Sequence, residues 1–270
     1  MLRNEGRRLT KVAVCTPGKE YFGVTDFKPH NITALADPER TIKQFSYLRS
    51  ILEKAGCEVI DVPELGGHPN SIFTRDVSLV TPRGYVRLRM GLESRRGEEE
   101  WMARALDALG EPCVEEIKAP GTVEGGDIIL AGSVAFVGHS QRTNTDGVRQ
   151  ISKILEDMDY EVRIQTMGKR YLHLGGAMSM IGSRRILCCR DVFPDDFFEG
   201  FDTVEAAPRG PGTGNVIFLD DNEVVANSAE NAEAIRELEK QGVRVHAIDL
   251  SEFRKGTGGP TCLILPIERI

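Results

Sequence analysis

The chain has 270 residues, 40% of them hydrophobic and 28% charged, which suffices for a core of ordinary size in one large or two modest domains. Its formal net charge of −7 argues against nucleic acid as a partner, because phosphate binding needs a basic surface. A local arginine cluster that takes a small anion stays compatible with that charge. No apolar run reaches membrane-spanning length, and the basic start MLRNEGRRLT has no apolar stretch behind it, so neither a membrane partner nor a secretory signal is expected. Six cysteines without regular spacing, and without a CxxC pair, are expected to be reduced thiols of a cytoplasmic protein rather than disulfides or a zinc site.

In chain order, a strand is expected in KVAVCTP (11–17), and the irregular stretch 16–38, with Gly18, Gly23 and Pro29, is a candidate lid on length alone. A helical apolar period that switches toward two follows in FSYLRSILEKAGCEVIDV (45–62). VSLVTPRGYVRL then makes a hairpin turning at Pro82–Gly84, and EEEWMARALDALGEPCVEEI (98–117) repeats the helix and strand. The same succession recurs in GDIILAGSVAFVG, turning near Gly132, with VRQISKILEDMDYEVRIQ (148–165). MSMIGSRRILCC turns near Gly182–Ser183, and 195–207 is a shortened helix and strand. VIFLDDNEVVAN turns at Asp220–Asn222 and precedes NAEAIRELEKQGVRVHAIDL (231–250). Gly56, Gly110 and Gly242 stand where helix C-termini favour a left-handed residue.

The unit hairpin, helix, strand therefore occurs about four times. The terminal strand CLILPI and the N-terminal strand complete a fifth, and a repeat shared between the two ends closes a ring. The expected fold is α/β: a single-domain propeller-like ring over 1–270, with five small blades around a central channel. An open mixed α/β sheet is the alternative.

The segments before the hairpins carry unusual chemistry. NSIFTRDVSLV holds Asn70, Arg75 and Asp76; GTVEGGDIIL holds Glu124 and Asp127; YLHLGGAMSM holds His173; GTGGPTCLIL holds Cys262. In a pseudo-symmetric ring these meet at one channel. A thiolate is a nucleophile, a histidine moves protons, and fixed carboxylates suit a planar, bidentate cation such as guanidinium. The glycines beside Glu124, His173 and Cys262 leave room for a ligand close to the backbone. Plain structural readings stand beside these: Cys262 and His173 as core residues, Asp76 and Asp127 as turn caps, Arg95 and Arg142 as solvated charges. The other five cysteines are taken as core. GTGGP is no phosphate loop, since a strand follows it and no Lys-Ser/Thr does.

NSIFTRD, RRGEE, EGGD, QRT, LHL and GGPTC, in this order over 70–262, resemble the guanidine-modifying (pentein) superfamily of arginine deiminases, dimethylarginine dimethylaminohydrolases and amidinotransferases. The resemblance implies that Cys262 attacks the guanidinium carbon, that His173 protonates the leaving amine and then activates water, and that Asp76 and Glu124 hold the guanidinium nitrogens. It implies Arg95 and Arg142 as ligands of the substrate carboxylate, with Asn70 lining the same pocket, and a covalent thiouronium formed without metal or organic cofactor. The expected partner is a small guanidino substrate, arginine or an Nω-methylated arginine, and a homo-oligomer is left open. Gly175 stands where deiminases carry an aspartate, which points toward the dimethylarginine hydrolases. Arg75 in a deiminase-like FTRD points the other way, so deiminase, arginine dihydrolase and amidinotransferase remain alternatives. A catalytically silent amino-acid-binding protein is the alternative outside the enzymes.

Overall fold

The computed structural model describes residues 2–190 and 192–270. Strand β1 (Leu9–Val14) leads through the short helix α1 (Lys19–Phe22) to α2 (Pro38–Lys54) and β2 (Glu58–Asp61). Four similar units follow. They are β3 (Ser78–Thr81), β4 (Gly84–Arg87), α3 (Glu98–Ala108) and β5 (Cys113–Glu116); then β6 (Ile128–Ala131), β7 (Val134–His139), α4 (Thr145–Glu156) and β8 (Glu161–Thr166). Next come β9 (Met178–Gly182), β10 (Arg185–Cys189) and β11 (Asp202–Ala206), then β12 (Val216–Asp220), β13 (Glu223–Asn227), α5 (Ala232–Lys240) and β14 (Arg244–Ile248). The short helix α6 (Ser251–Arg254) and β15 (Leu265–Arg269) end the sequence.

The strands form five three-stranded sheets. In each, the first two strands pair antiparallel and the third joins the middle strand in parallel across a connection. The fifth sheet has the order β15-β1-β2, so strands from both ends of the sequence share it. Packing contacts run from β15 to β3, from β6 to β9, from β9 to β12 and from β12 to β1.

Burial follows the layering. β3, β6, β9 and β12 are buried along nearly their whole length, whereas β2, β5, β8 and β14 alternate toward solvent. α2 starts with Asp37 accepting from the Arg40 amide and Pro38 in the first turn; α4 starts with Asn144 accepting from the Gly147 amide. Gly56, Gly110 and Gly242 have φ of +81°, +82° and +74°, the left-handed exit that the sequence pattern requires.

Two local expectations differ. The segment before β11 forms turns instead of a helix. Phe197, Phe198 and Phe201 cluster with Phe136 of β7 at ring-centroid distances of 5.3, 5.6 and 5.5 Å, and so supply apolar cover. Cys113, expected in the core, is exposed because β5 is an outer strand with one face in solvent. All six cysteines are free, and among the described residues no helix is long and apolar enough to cross a membrane.

Backbone approaches between neighbouring sheets leave no space for side chains at certain glycines. A Cβ on Gly214 would lie 2.4 Å from the Ala177 carbonyl carbon, whereas one on Gly168 would meet nothing within 4 Å. Gly214→Ala should cost about 1–3 kcal/mol in calorimetric unfolding, with Gly168→Ala within about 0.5 kcal/mol of the parent. Equal melting temperatures for the two variants would refute this close packing.

Candidate active site

Four hairpin-leading segments end in 3₁₀ turns: Thr74–Asp76, Gly125–Asp127, Leu174–Gly176 and Pro260–Leu263. The turn 74–76 touches both 260–263 and 125–127, and 125–127 touches 174–176. Asp76, Glu124, His173 and Cys262 are thereby gathered from the segments leading four sheets, Glu124 and His173 just before their turns and Asp76 and Cys262 within theirs. Cys262 lies in the turn rather than in the strand, which begins at Leu265, because Pro260 starts the turn and the Cys262 amide donates to the Gly259 carbonyl.

Glu124 is wholly buried. One carboxylate oxygen accepts from the Gly91 amide at 3.0 Å, the Leu92 amide at 3.1 Å and Arg142 Nη1 at 3.3 Å, while the other meets His173 Nε2 at 2.8 Å. Burial alone would raise its pKa, but His173, Arg142 and Arg95 outweigh burial and hold it well below the usual range. His173 shows the reverse balance. Burial lowers its pKa, yet Asp76, Asp127 and Glu124 prevail and raise it to about 9. The imidazole is therefore charged at neutral pH, with Nδ1 3.8 Å from Asp76. Gly126 permits this approach, since a Cβ there would stand 2.7 Å from His173 Nδ1 and 2.9 Å from Asp76 Oδ1.

Asp76 Oδ2 accepts from Arg95 Nη1 at 2.6 Å. Its Oδ1 is buried without a hydrogen-bond donor among the described residues, and so is Asn70 Oδ1, whose amide nitrogen is spent on the His30 carbonyl. Two such acceptors in one cavity call for a ligand rich in N–H donors. Cys262 Sγ accepts from the Gly259 amide at 3.3 Å. Burial and then Asp76 push its pKa up to about 11, against the weaker pull of the Gly259 amide, Arg254 and Arg95, so the free thiol is protonated.

Arg95 is placed differently from the sequence expectation. Nε reaches Glu98 at 2.8 Å, Nη1 reaches Asp76, and Nη2 donates to the Phe73 carbonyl at 3.0 Å. All three nitrogens are engaged, so the guanidinium buttresses Asp76. Among the described residues, the Arg142 side chain bonds to Glu124 alone and keeps donors in reserve. Asp127 accepts from Ser140 at 2.6 Å, Thr143 at 2.7 Å and the Leu174 amide at 2.9 Å, which ties its turn to the one beside His173.

Sequence reasoning passed over two residues. Glu98 is fully buried against Arg95, and burial raises its pKa to about 7; its signal was the spacing of three after Arg95 in RRGEE. Asn215 accepts from the Thr261 amide at 2.9 Å and steadies the turn that carries Cys262; it sits in RGPGTGN, before the fourth hairpin. The glycines of GTGGP line the site cavities and also serve packing. A Cβ on Gly258 would meet the Phe73 ring at 2.2 Å and one on Gly259 would meet Asn215 at 2.9 Å.

Cys262 and His173 line a cavity of about 260 Å³ together with Gly175 and Thr261, and a smaller one with Asn70, Asp76, Arg95 and Arg142. At Gly175 a Cβ would meet only the Gly126 carbonyl, at 3.1 Å. Asp76, Glu124 and His173 offer ligand atoms within 4.8 Å of one another. The guanidiniums of Arg95 and Arg142 already neutralise the two carboxylates, so a divalent cation fits this cluster poorly.

A family model for N,N dimethylarginine dimethylhydrolase, eukaryotic, matches residues 27–205, and one for arginine deiminase matches residues 211–269. The N(G),N(G)-dimethylarginine dimethylaminohydrolase of Pseudomonas aeruginosa is 32% identical over 220 residues, 82% of this chain and 85% of that protein. A dimethylarginine dimethylaminohydrolase adduct with S-methyl-L-thiocitrulline superposes with a TM-score of 0.83 at 27% identity, covering 95% of this chain and 99% of the other. A cysteine-to-serine variant of the P. aeruginosa enzyme complexed with citrulline gives 0.83 at 26% identity, covering 96% and 99%.

The raised Cys262 pKa has a direct consequence. Alkylation of Cys262 in the free protein should accelerate as pH climbs toward about 11, because only then does the thiolate form. The difference in thiolate absorbance between the parent and Cys262→Ser isolates this ionisation from Cys113, which is present in both. An ionisation below neutral pH would contradict the geometry.

Proposed function

The chain belongs to the dimethylarginine dimethylaminohydrolase family of the guanidine-modifying (pentein) superfamily, and from this premise we propose how its site works. It is an amidine hydrolase that cleaves a guanidine C–N bond of an Nω-methylated arginine or of arginine. The observation that carries this reading is the pair of buried acceptors without donors, Asp76 Oδ1 and Asn70 Oδ1, in the cavity that Cys262 and His173 also line.

The guanidinium lies between Asp76 and Glu124 and donates to both. Its positive charge beside the sulfur favours the thiolate, offsetting the burial that otherwise keeps Cys262 protonated. Cys262 Sγ bonds to the guanidinium carbon, and His173 gives a proton to the departing amine as the C–N bond breaks. His173, now neutral, takes a proton from water, and the hydroxide adds to the thiouronium carbon. The C–S bond then breaks, the added hydroxyl gives up its proton to solvent, and a ureido product leaves with the thiolate restored. Arg142 turns toward the substrate carboxylate, Arg95 holds Asp76, and Asn70 lines the pocket. Gly175 leaves space beside one guanidinium nitrogen, which suits a methylated substrate.

The five sheets close into a propeller over 1–270 as one catalytic unit, a reading supported by the sheet shared between both ends and by the run of contacts between neighbouring sheets. The free cysteines support a reducing compartment such as the cytoplasm. Arginine deimination is the second reading, favoured by the deiminase match over the segment that carries Cys262.

Product analysis on arginine, monomethylarginine and dimethylarginine tests these assignments. Citrulline with methylamine or dimethylamine is expected, with Cys262→Ser losing turnover by at least about 10⁴-fold while still binding substrate. Citrulline with ammonia from arginine alone would favour the deiminase, ornithine a dihydrolase, and dependence on an added amine a transferase. Turnover by Cys262→Ser at the parent rate would remove the thiouronium.

A further inference from the structure

Arg75 is 7% exposed, yet none of the chemical steps uses it. It sits next to Asp76, and its fork points away from the substrate cavity. Nε donates to the Gly125 carbonyl at 3.2 Å and Nη2 to the Ile128 carbonyl at 2.6 Å. Both carbonyls belong to the turn and strand directly after Glu124. One guanidinium therefore links the turn that carries Asp76 to the segment that carries Glu124, the two halves of the guanidinium clamp. A Cβ on Gly125 would lie 2.2 Å from the Arg75 carbonyl oxygen, so these backbones already touch.

The counterion comes from a distant part of the sequence. Glu5 meets Arg75 through both carboxylate oxygens, at 2.9 Å to Nη1 and 2.7 Å to Nη2, a two-pronged pair that fixes the plane of the guanidinium. Glu5 is itself anchored. Its amide donates to the Leu130 carbonyl at 2.7 Å, and its carboxylate accepts from the Leu130 amide at 3.3 Å. A cavity of about 30 Å³ is lined by Glu5, Arg75 and Arg269 together with Gly126, Gly175 and Thr261, and the last three also line the cavity of Cys262. The pair thus stands beneath the floor of the active site.

We infer that Glu5 is a positioning residue for the hydrolysis: by locking Arg75 it fixes the spacing of Asp76 and Glu124 around the guanidinium. This rests on the hydrolase reading above. It also accounts for Arg75, whose place beside Asp76 was the discordant feature of FTRD. The arginine bridges the two halves of the clamp, and the carboxylate that balances it arrives from the segment before β1.

Glu5 also bears on the thiol. Arg75 interacts electrostatically with Cys262, which is further faced by Asp76, Arg95, Arg254 and the Gly259 amide. Removing the Glu5 charge leaves Arg75 uncompensated and favours the thiolate.

The test compares Glu5→Gln, Glu5→Asp and Asn4→Ala in the full chain. Asn4 holds the same segment, donating to the Ser183 carbonyl at 2.9 Å and accepting from the Gly6 amide at 2.8 Å, and so reports anchoring alone. Glu5→Gln should raise KM for dimethylarginine about tenfold or more with a smaller change in kcat, and should lower the pH at which Cys262 ionises. Glu5→Asp should recover most of both, and Asn4→Ala should move neither. A folded Glu5→Gln with parental KM and thiol titration overturns the inference, as does an Asn4→Ala that matches it. If Glu5→Gln does not fold, Arg75→Lys decides. It keeps the charge and loses the fork, so an unchanged KM overturns the inference and a tenfold rise supports it. The thiol titration needs no substrate, so a protein inactive on methylarginines would sink the hydrolase reading while leaving the Glu5–Arg75 coupling measurable.

Discussion

The active centre depends on one buried carboxylate. Glu124 has no exposed surface, and an isolated charge there would be unaffordable. It survives because two backbone amides, Arg142 and His173 surround it. Each partner comes from a different stretch: Gly91 and Leu92 follow β4, Arg142 follows β7, and His173 precedes the turn before β9. The charge can be satisfied only when three units are docked in register. Fold and site are therefore one condition, since misalignment of a single sheet would strand a buried anion.

A second tier repeats this logic with the charges in other hands. Arg95 is held by Glu98 and Asp76, and Arg75 by Glu5 and two carbonyls. Asp127 is held by two hydroxyls and an amide, and burial still raises its pKa to about 6. Arg95, Arg75 and Asp127 are each held by side chains and by backbone together. Such a lattice is rigid because each member loses a full desolvation cost if its partner moves.

Much of this was legible in the sequence for a physical reason. A hairpin, helix and strand advertise themselves by period and by turn residues. Segments that lead each repeat's hairpin face the same way, so the sequence alone groups Asp76, Glu124, His173 and Cys262. Contacts that cross between repeats were not legible. Arg95 could be matched to a motif, but whether its fork points at ligand or at Asp76 depends on where Glu98 and the Phe73 carbonyl lie in space. Glu5 had no motif at all. The packing of the GTGGP glycines was not legible either, because Phe73 and Asn215, against which they pack, lie 183 and 44 residues from Gly256 and Gly259 along the chain. The missing helix before β11 fell to the same limit, because aromatic cover from a turn leaves no periodic trace.

The charge balance of the resting site explains why it waits for a cation. Asp76, Asp127, Glu98, Glu124 and Glu5 surround Arg95, Arg142, Arg75 and a protonated His173. Carboxylates are already numerous there, so a thiolate would add one more buried anion. Burial and Asp76 accordingly keep Cys262 as a thiol. In the mechanism we propose, the substrate guanidinium brings the positive charge that a thiolate needs. Its arrival would supply donors to Asp76 Oδ1 and a counter-charge to the sulfur in the same event. Binding and activation of Cys262 would thereby be coupled, and a neutral ligand of similar shape would fill the pocket without arming the thiol.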